Sequence, residues 1–340
     1  MISIFNGRAI YGLEPLLPRT PSSRLCHPSF APYFYSTKSV ASSATASVSS
    51  RSISKEPPLA LNPPPSARPP LLELPSRLPD QPAYKFYFHV GRTYVKFYTT
   101  GLKNLYQNFK LAKGIVQRLE STTYEEDVRN GLLSRAHWHL VKRQRADALR
   151  MPLFLLMFFV CGEFTPLVAV FFSGVVPRTL WIPKQVQKAR EKSEARRSEV
   201  FRNPPAGLDI DRKEAEPGIV PSAEVLHIGR SLGLYSSLWD RIDLPPLWLI
   251  RRRIKKRLDF VELDDFTIRR DGGVEGLEAA EVWLAAEMRG IDVLGRTERD
   301  LRKDLSDWLL NRSRLARHGL STRRLYLTRS SAWPHHHTIT

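Results

Sequence analysis

The chain has 340 residues, room for one or two domains, and its 42% hydrophobic and 25% charged content is that of an ordinary globular protein. Charge is the departure: 52 Lys and Arg stand against 34 Asp and Glu, a net +18 and an isoelectric point near 10.1, which favours an anionic partner, either nucleic acid or lipid. Two cysteines, Cys26 and Cys161, exclude a disulfide framework and a cysteine-based zinc site.

Residues 1–55 read as an organellar targeting segment. Arg8, Arg19, Arg24, Lys38 and Arg51 are spread through a Ser-rich stretch in which Glu14 is the only acid. Residues 56–83 are proline-rich, which excludes helix and central strand and predicts a stiff, extended linker after a disordered targeting N-terminus. Residues 84–150 are basic and helical. Tyr94, Tyr98, Leu102, Leu105, Phe109 and Val116 recur at three- and four-residue steps with one gap at Ala112, and Lys96, Lys103, Lys110, Lys113 and Arg118 surround them. Such a helix either lies on a membrane surface or packs on its own domain. Residues 125–150 are charged and end in Lys142, Arg143, Arg145 and Arg150.

Residues 151–177 are the strongest physical signal: MPLFLLMFFVCGEFTPLVAVFFSGVVP carries one charge, Glu163. About 20 apolar residues cross a bilayer core, so the segment is expected to be a single transmembrane helix, kinked at Pro166; a fully buried soluble helix is the alternative. The basic residues that follow, Arg178 to Arg197, place the C-terminal side toward the negative face of the membrane. Residues 203–224 read as a loop. A last helical region, with turns at Pro245-Pro246 and Gly272-Gly273, runs to Ser330, and 331–340 is a tail in which His335, His336 and His337 lack a second ligand group. The fold class read from this pattern is all-α.

Two segments carry binding chemistry. Arg251, Arg252, Arg253, Lys255, Lys256 and Arg257 form a dense phosphate-seeking cluster, with anionic lipid or plain solvent as the competing partners. In the second segment, residues 272–309, Leu277, Val282, Leu284 and Met288 form one helix face and Leu301, Leu305, Trp308 and Leu309 another. Gly290 stops the first helix, and Thr297 with Asp300 caps the second. Arg296, Arg299, Arg302 and Lys303 crowd that helix start, against its dipole, as a bound phosphate would require. The segment also resembles a SAP-type helix–turn–helix. No Gly-rich phosphate loop, nucleophile elbow or metal-spaced His/Cys set is present, so neither enzyme activity nor a cofactor, metal or small-molecule substrate is expected.

Three blocks resemble the LETM family of mitochondrial inner-membrane proteins. They are GLKNLYQNFKLAKGI (Gly101 to Ile115), the segment Arg150 to Leu180 with Pro152, Glu163, Pro166 and Pro177, and Gly272 to Leu309 with Arg289-Gly290, Leu294-Gly295 and Trp308-Leu309. No EF-hand loop and no C-terminal heptad repeat is present, so the chain resembles a short member. The resemblance implies residence in the inner membrane with residues 178–330 as a matrix ribosome-binding domain. The mitochondrial ribosome and inner-membrane lipids are the implied partners, and support of membrane-coupled translation or protein insertion the implied role. It also implies an alternative: K+/H+ or Ca2+/H+ exchange with Glu163 as the titrating group, which one helix performs only as part of an oligomer or with a partner.

Overall fold

The computed structural model describes residues 60–77, 81–119, 124–162, 174–210, 221–242, 246–317 and 323–333. The chain divides into Met1–Ser54 and Lys55–Thr340. The targeting segment, most of the histidine tail, and Glu163 and Pro166 lie outside the described residues.

The described residues form helices and no strands, as the sequence pattern requires. The first helices are α1 (Ala83–Gln117), α2 (Tyr124–Arg129), α3 (Arg135–Ala148) and α4 (Met151–Cys161). Beyond the apolar segment come α5 (Pro183–Arg202), α6 (Ser222–Ser231), α7 (Leu238–Ile242), α8 (Leu247–Asp271), α9 (Ala279–Arg289), α10 (Glu298–Arg317) and α11 (Arg323–Leu327). Proline sets several starts: Pro82, Pro221 and Pro246 occupy the N-cap positions of α1, α6 and α8, where a missing N–H costs nothing.

The main core joins α6, α8, α9, α10 and α11 around Val225, Ile250, Val261, Ile268, Val282, Leu301, Leu305 and Trp308. Helix α6 reaches α8 through Gly229, where a Cβ would lie 2.6 Å from the Ile250 side chain and 3.1 Å from the Tyr235 ring. A second cluster joins α3 to α8 through Trp138, which stacks on Phe260 at 4.7 Å between ring centroids. Residues 84–150 and 178–330 therefore share one folded body.

Two expectations are corrected. The proline-rich linker is not a free spacer over its described part. Leu61 is buried in the main core, its carbonyl accepts from Arg135 Nη1 at 3.1 Å, and the Ala60 carbonyl accepts from the Ala136 amide at 3.0 Å. Asn108 Nδ2 on α1 donates to the Ser66 carbonyl at 2.7 Å. Residues 65–67 form a single 3-10 turn, in which the Ala67 and Arg68 amides bond to the Pro64 and Pro65 carbonyls at 2.8 and 3.1 Å, and the carbonyls left without a partner within the segment stay open for these donors.

The second correction concerns the membrane segment. Among the described residues no helix is long and apolar enough to cross a membrane. Helix α4 has 11 residues, about 16 Å against a bilayer core of about 30 Å, and ends at Gly162 with φ +52° and ψ −125°. The flanks of the apolar segment also meet. Asp147, at the end of α3, accepts from the Arg178 amide at 2.8 Å and the Thr179 amide at 3.4 Å, and faces the Arg150 guanidinium at 3.8 Å. Met151, Phe154 and Met157 share a cluster with Val175, Val176 and Leu180. A single crossing would hold these flanks about 30 Å apart, and it would separate α3 from α8. The described residues do not support a single crossing.

Candidate ribosome-docking surface

Two sets of cations stand out among the described residues. The first is enclosed. Asp264 of α8 accepts from Arg135 Nε at 2.7 Å, His139 Nε2 at 2.7 Å and Arg289 Nη2 at 2.9 Å. Neighbouring Asp265 accepts from Arg289 Nε at 3.0 Å, Trp308 Nε1 at 3.1 Å and Arg312 Nη1 at 3.0 Å. Glu281 of α9 takes both terminal nitrogens of Arg143, at 2.8 and 2.7 Å. Four helices are locked by this network. Sequence reasoning missed it, although Arg135, His139 and Arg143 recur at four-residue steps beside Trp138 and therefore share one face with an apolar anchor.

Electrostatics agree with the geometry. Burial alone would raise the Asp264 carboxyl, but Arg135, Arg289 and His139 hold it well below its usual range. Glu281 is likewise desolvated, yet Arg143 and Arg135 pull it down to about 2. Burial and then Arg135 push His139 down to about 4, against the opposing pull of Asp264. Neutral His139 then donates through Nε2 to Asp264 and leaves Nδ1 to accept from Arg143 at 3.5 Å.

The second set is exposed and lies on the first half of α8. Ile250 and Ile254 are buried and turn the remaining faces outward, so Arg251, Arg252, Arg253, Lys255 and Lys256 are exposed and Arg257 is half-buried. Arg253 also donates to the Leu234 carbonyl at 2.9 Å. Lys142 of α3 adds to the same surface, with its ammonium 4.2 Å from the Phe260 ring centroid. Burial and the fields of Arg257 and Lys256 lower that ammonium, with Glu125 and Asp264 opposing. Burial and then Arg178 lower both the Arg257 and the Arg150 guanidinium. The cationic surface thus reaches the flanks of the apolar segment.

The start of α10 is less available than its sequence implied. Thr297 and Asp300 form the expected reciprocal cap: the Asp300 amide donates to Thr297 Oγ1 at 3.2 Å and the Thr297 amide to Asp300 Oδ2 at 3.2 Å. Arg302, however, pairs with Glu298 at 2.6 Å and donates to the Val274 and Leu277 carbonyls at 2.6 and 2.7 Å, so it closes the α8–α9 turn. Arg296 pairs with Asp304 at 3.0 Å, while Arg299 and Lys303 are exposed. Gly290 ends α9 at φ +80°, and Leu301, Leu305, Trp308 and Leu309 are buried as expected. The buried face of α9 is rotated from the expected one. Val282, Ala285, Ala286 and Arg289 are inside and Leu284 and Met288 at the margin, because Glu281 and Arg289 must reach the buried network.

Residues 238–321 match the family model described as LETM1-like, RBD, the ribosome-binding domain of LETM1-like proteins. The matched range holds α7 to α10, including the exposed cations of α8 and the block from Gly272 to Leu309 that carried the resemblance; the blocks at Gly101–Ile115 and Arg150–Leu180 fall outside it. No curated protein and no solved structure matches the chain.

Proposed function

Taking the LETM1-like ribosome-binding domain at residues 238–321 as the premise, we propose that the protein docks mitochondrial ribosomes at the inner membrane and so supports membrane-coupled translation or protein insertion. The observation that carries this reading is the exposed cationic first half of α8, which lies inside the matched range. Lysine and arginine on a helical face neutralise backbone phosphate and release counterions, giving strong, weakly sequence-dependent and salt-sensitive affinity. Arg299 and Lys303 supply a second phosphate contact.

The membrane is engaged through residues 151–177, whose described helix exposes Leu153, Leu156, Phe158, Phe159 and Val160. Because Asp147 ties both flanks together, the segment enters and leaves the bilayer on the matrix side, where the basic surface also lies. A ribosome held there releases apolar nascent chains next to lipid.

Co-sedimentation of the detergent-solubilised protein with mitochondrial ribosomes tests the reading. Binding at low salt that is lost in Arg252→Glu, Lys255→Glu, Lys256→Glu supports it. Equal sedimentation of this variant and the wild type contradicts it.

A further inference from the structure

Helix α1 has 35 residues without a single acid. The structure separates them onto three faces. Phe97, Tyr98, Gly101, Leu105, Asn108 and Ala112 are buried against the body. At about 100° per residue these six fall within an arc of about 100°. Tyr84, Phe88, Val95, Leu102, Tyr106 and Phe109 form a different stripe, about 60° wide, and remain exposed, from 40% at Leu102 to 71% at Tyr106. Lys85, Arg92, Lys96, Lys103 and Lys110 form a third stripe about 40° wide, about 80° to the far side of the apolar one, and all five are exposed.

A helix packed on its own domain needs one apolar face. This one has two, and the second is covered by nothing among the described residues. Its neighbour identifies the occupant. Tyr94, Phe97 and Tyr98 share an apolar cluster with Met151, Phe154 and Met157 of the apolar segment, and Gly101 lies against the Leu180 side chain just beyond it. The exposed stripe therefore runs along a helix whose middle turns share a cluster with the apolar segment, and the described helix of that segment itself exposes Leu153, Leu156, Phe158, Phe159 and Val160. We infer that α1 lies in the plane of the membrane between the folded body and the bilayer, its Tyr84–Phe109 stripe among acyl chains and its Lys85–Lys110 rail on anionic phospholipid headgroups.

The chemistry favours lipid over RNA. Large apolar side chains in an unbroken stripe have no use on a phosphate backbone, whereas aromatic rings flanked by cations suit the interface of an anionic leaflet. The inference rests on the membrane engagement of residues 151–177 proposed above and survives failure of the ribosome reading.

The test uses the full chain with Cys26→Ser and Cys161→Ser, and one cysteine introduced at Tyr106→Cys, Phe88→Cys or Gln107→Cys to carry an environment-sensitive fluorophore. Vesicles are phosphatidylcholine with one third phosphatidylglycerol and contain acyl-chain nitroxide quenchers. The labels at Tyr106 and Phe88 are expected to be quenched and the one at Gln107 not. Lys96→Glu, Lys103→Glu, Lys110→Glu should raise the lipid concentration for half-maximal quenching at Tyr106 by about tenfold or more. Ribosome sedimentation and melting of that variant should match the parent. A solvent-like label at Tyr106 on protein that floats with the vesicles overturns the inference. So does loss of ribosome sedimentation in the charge-reversed variant with quenching unchanged, which would turn the rail toward RNA.

Discussion

Arg289 and Arg252 are the same residue type within 40 positions of each other, and they do opposite work. Arg289 is fully buried, and Asp265 and Asp264 hold it above its ordinary range against the desolvation of its site. Arg252 stands in solvent among like charges. The difference lies in the partner acids. Asp264, Asp265 and Glu281 are consumed by buried arginines, so they cannot neutralise the first half of α8. The enclosed set is thus nearly neutral, and the chain's excess of positive charge lies outside it.

Breaking the enclosed set should have the largest effect. Asp264→Ala leaves Arg135, His139 and Arg289 buried without their shared acceptor and should cost about 3–5 kcal/mol, read as a fall in the denaturation midpoint. Acid should act on two buried histidines, His139 of the enclosed set and His227 of α6, whose ring nitrogens have no hydrogen-bond partner among the described residues. His139 and His227 have folded pKa values of about 4 against an ordinary 6.5, so between these pH values the unfolded chain binds more protons and stability falls as pH drops. The enclosed His139 alone should account for on the order of 2–3 kcal/mol, and His227→Leu should shrink the difference between midpoints at pH 7 and pH 5. Gly229→Ala should cost about 1–3 kcal/mol, because the added methyl meets Ile250 and Tyr235 where α6 rests on α8. Reversing Arg252, Lys255 and Lys256 should change stability least, by less than about 0.5 kcal/mol per site, in the same denaturation assay.

These contrasts also explain what the sequence could tell. The start of α1 after Pro82, the stop at Gly290, the Thr297–Asp300 cap and the buried Leu301, Leu305 and Trp308 follow from local rules, and each was legible. The buried charges were not, because composition and periodicity treat Arg135 and Asp264 as solvated until a partner 129 residues away is in place. Arg289 and Trp308 were visible as family markers without their reason, which is their shared contact with Asp265. Helix α1 read as one apolar face because Tyr98 and Leu102 sit four residues apart, yet the first is packed and the second exposed. Hydropathy found the segment at 151–177 but measures length and apolarity only. It carries no information on Asp147 joining the two flanks.

The division between structural and docking cations is tested most directly by the salt dependence of ribosome affinity in two variants. Each exposed cation that contacts phosphate should contribute about one unit to the slope of log affinity against log salt. Arg252→Glu, Lys255→Glu, Lys256→Glu should flatten that slope by about three units at unchanged stability. Arg302→Gln, which removes a clamp on the α8–α9 turn, should lower stability and leave the slope as in the wild type. A slope unchanged in the triple variant, or flattened by Arg302→Gln, would contradict the account.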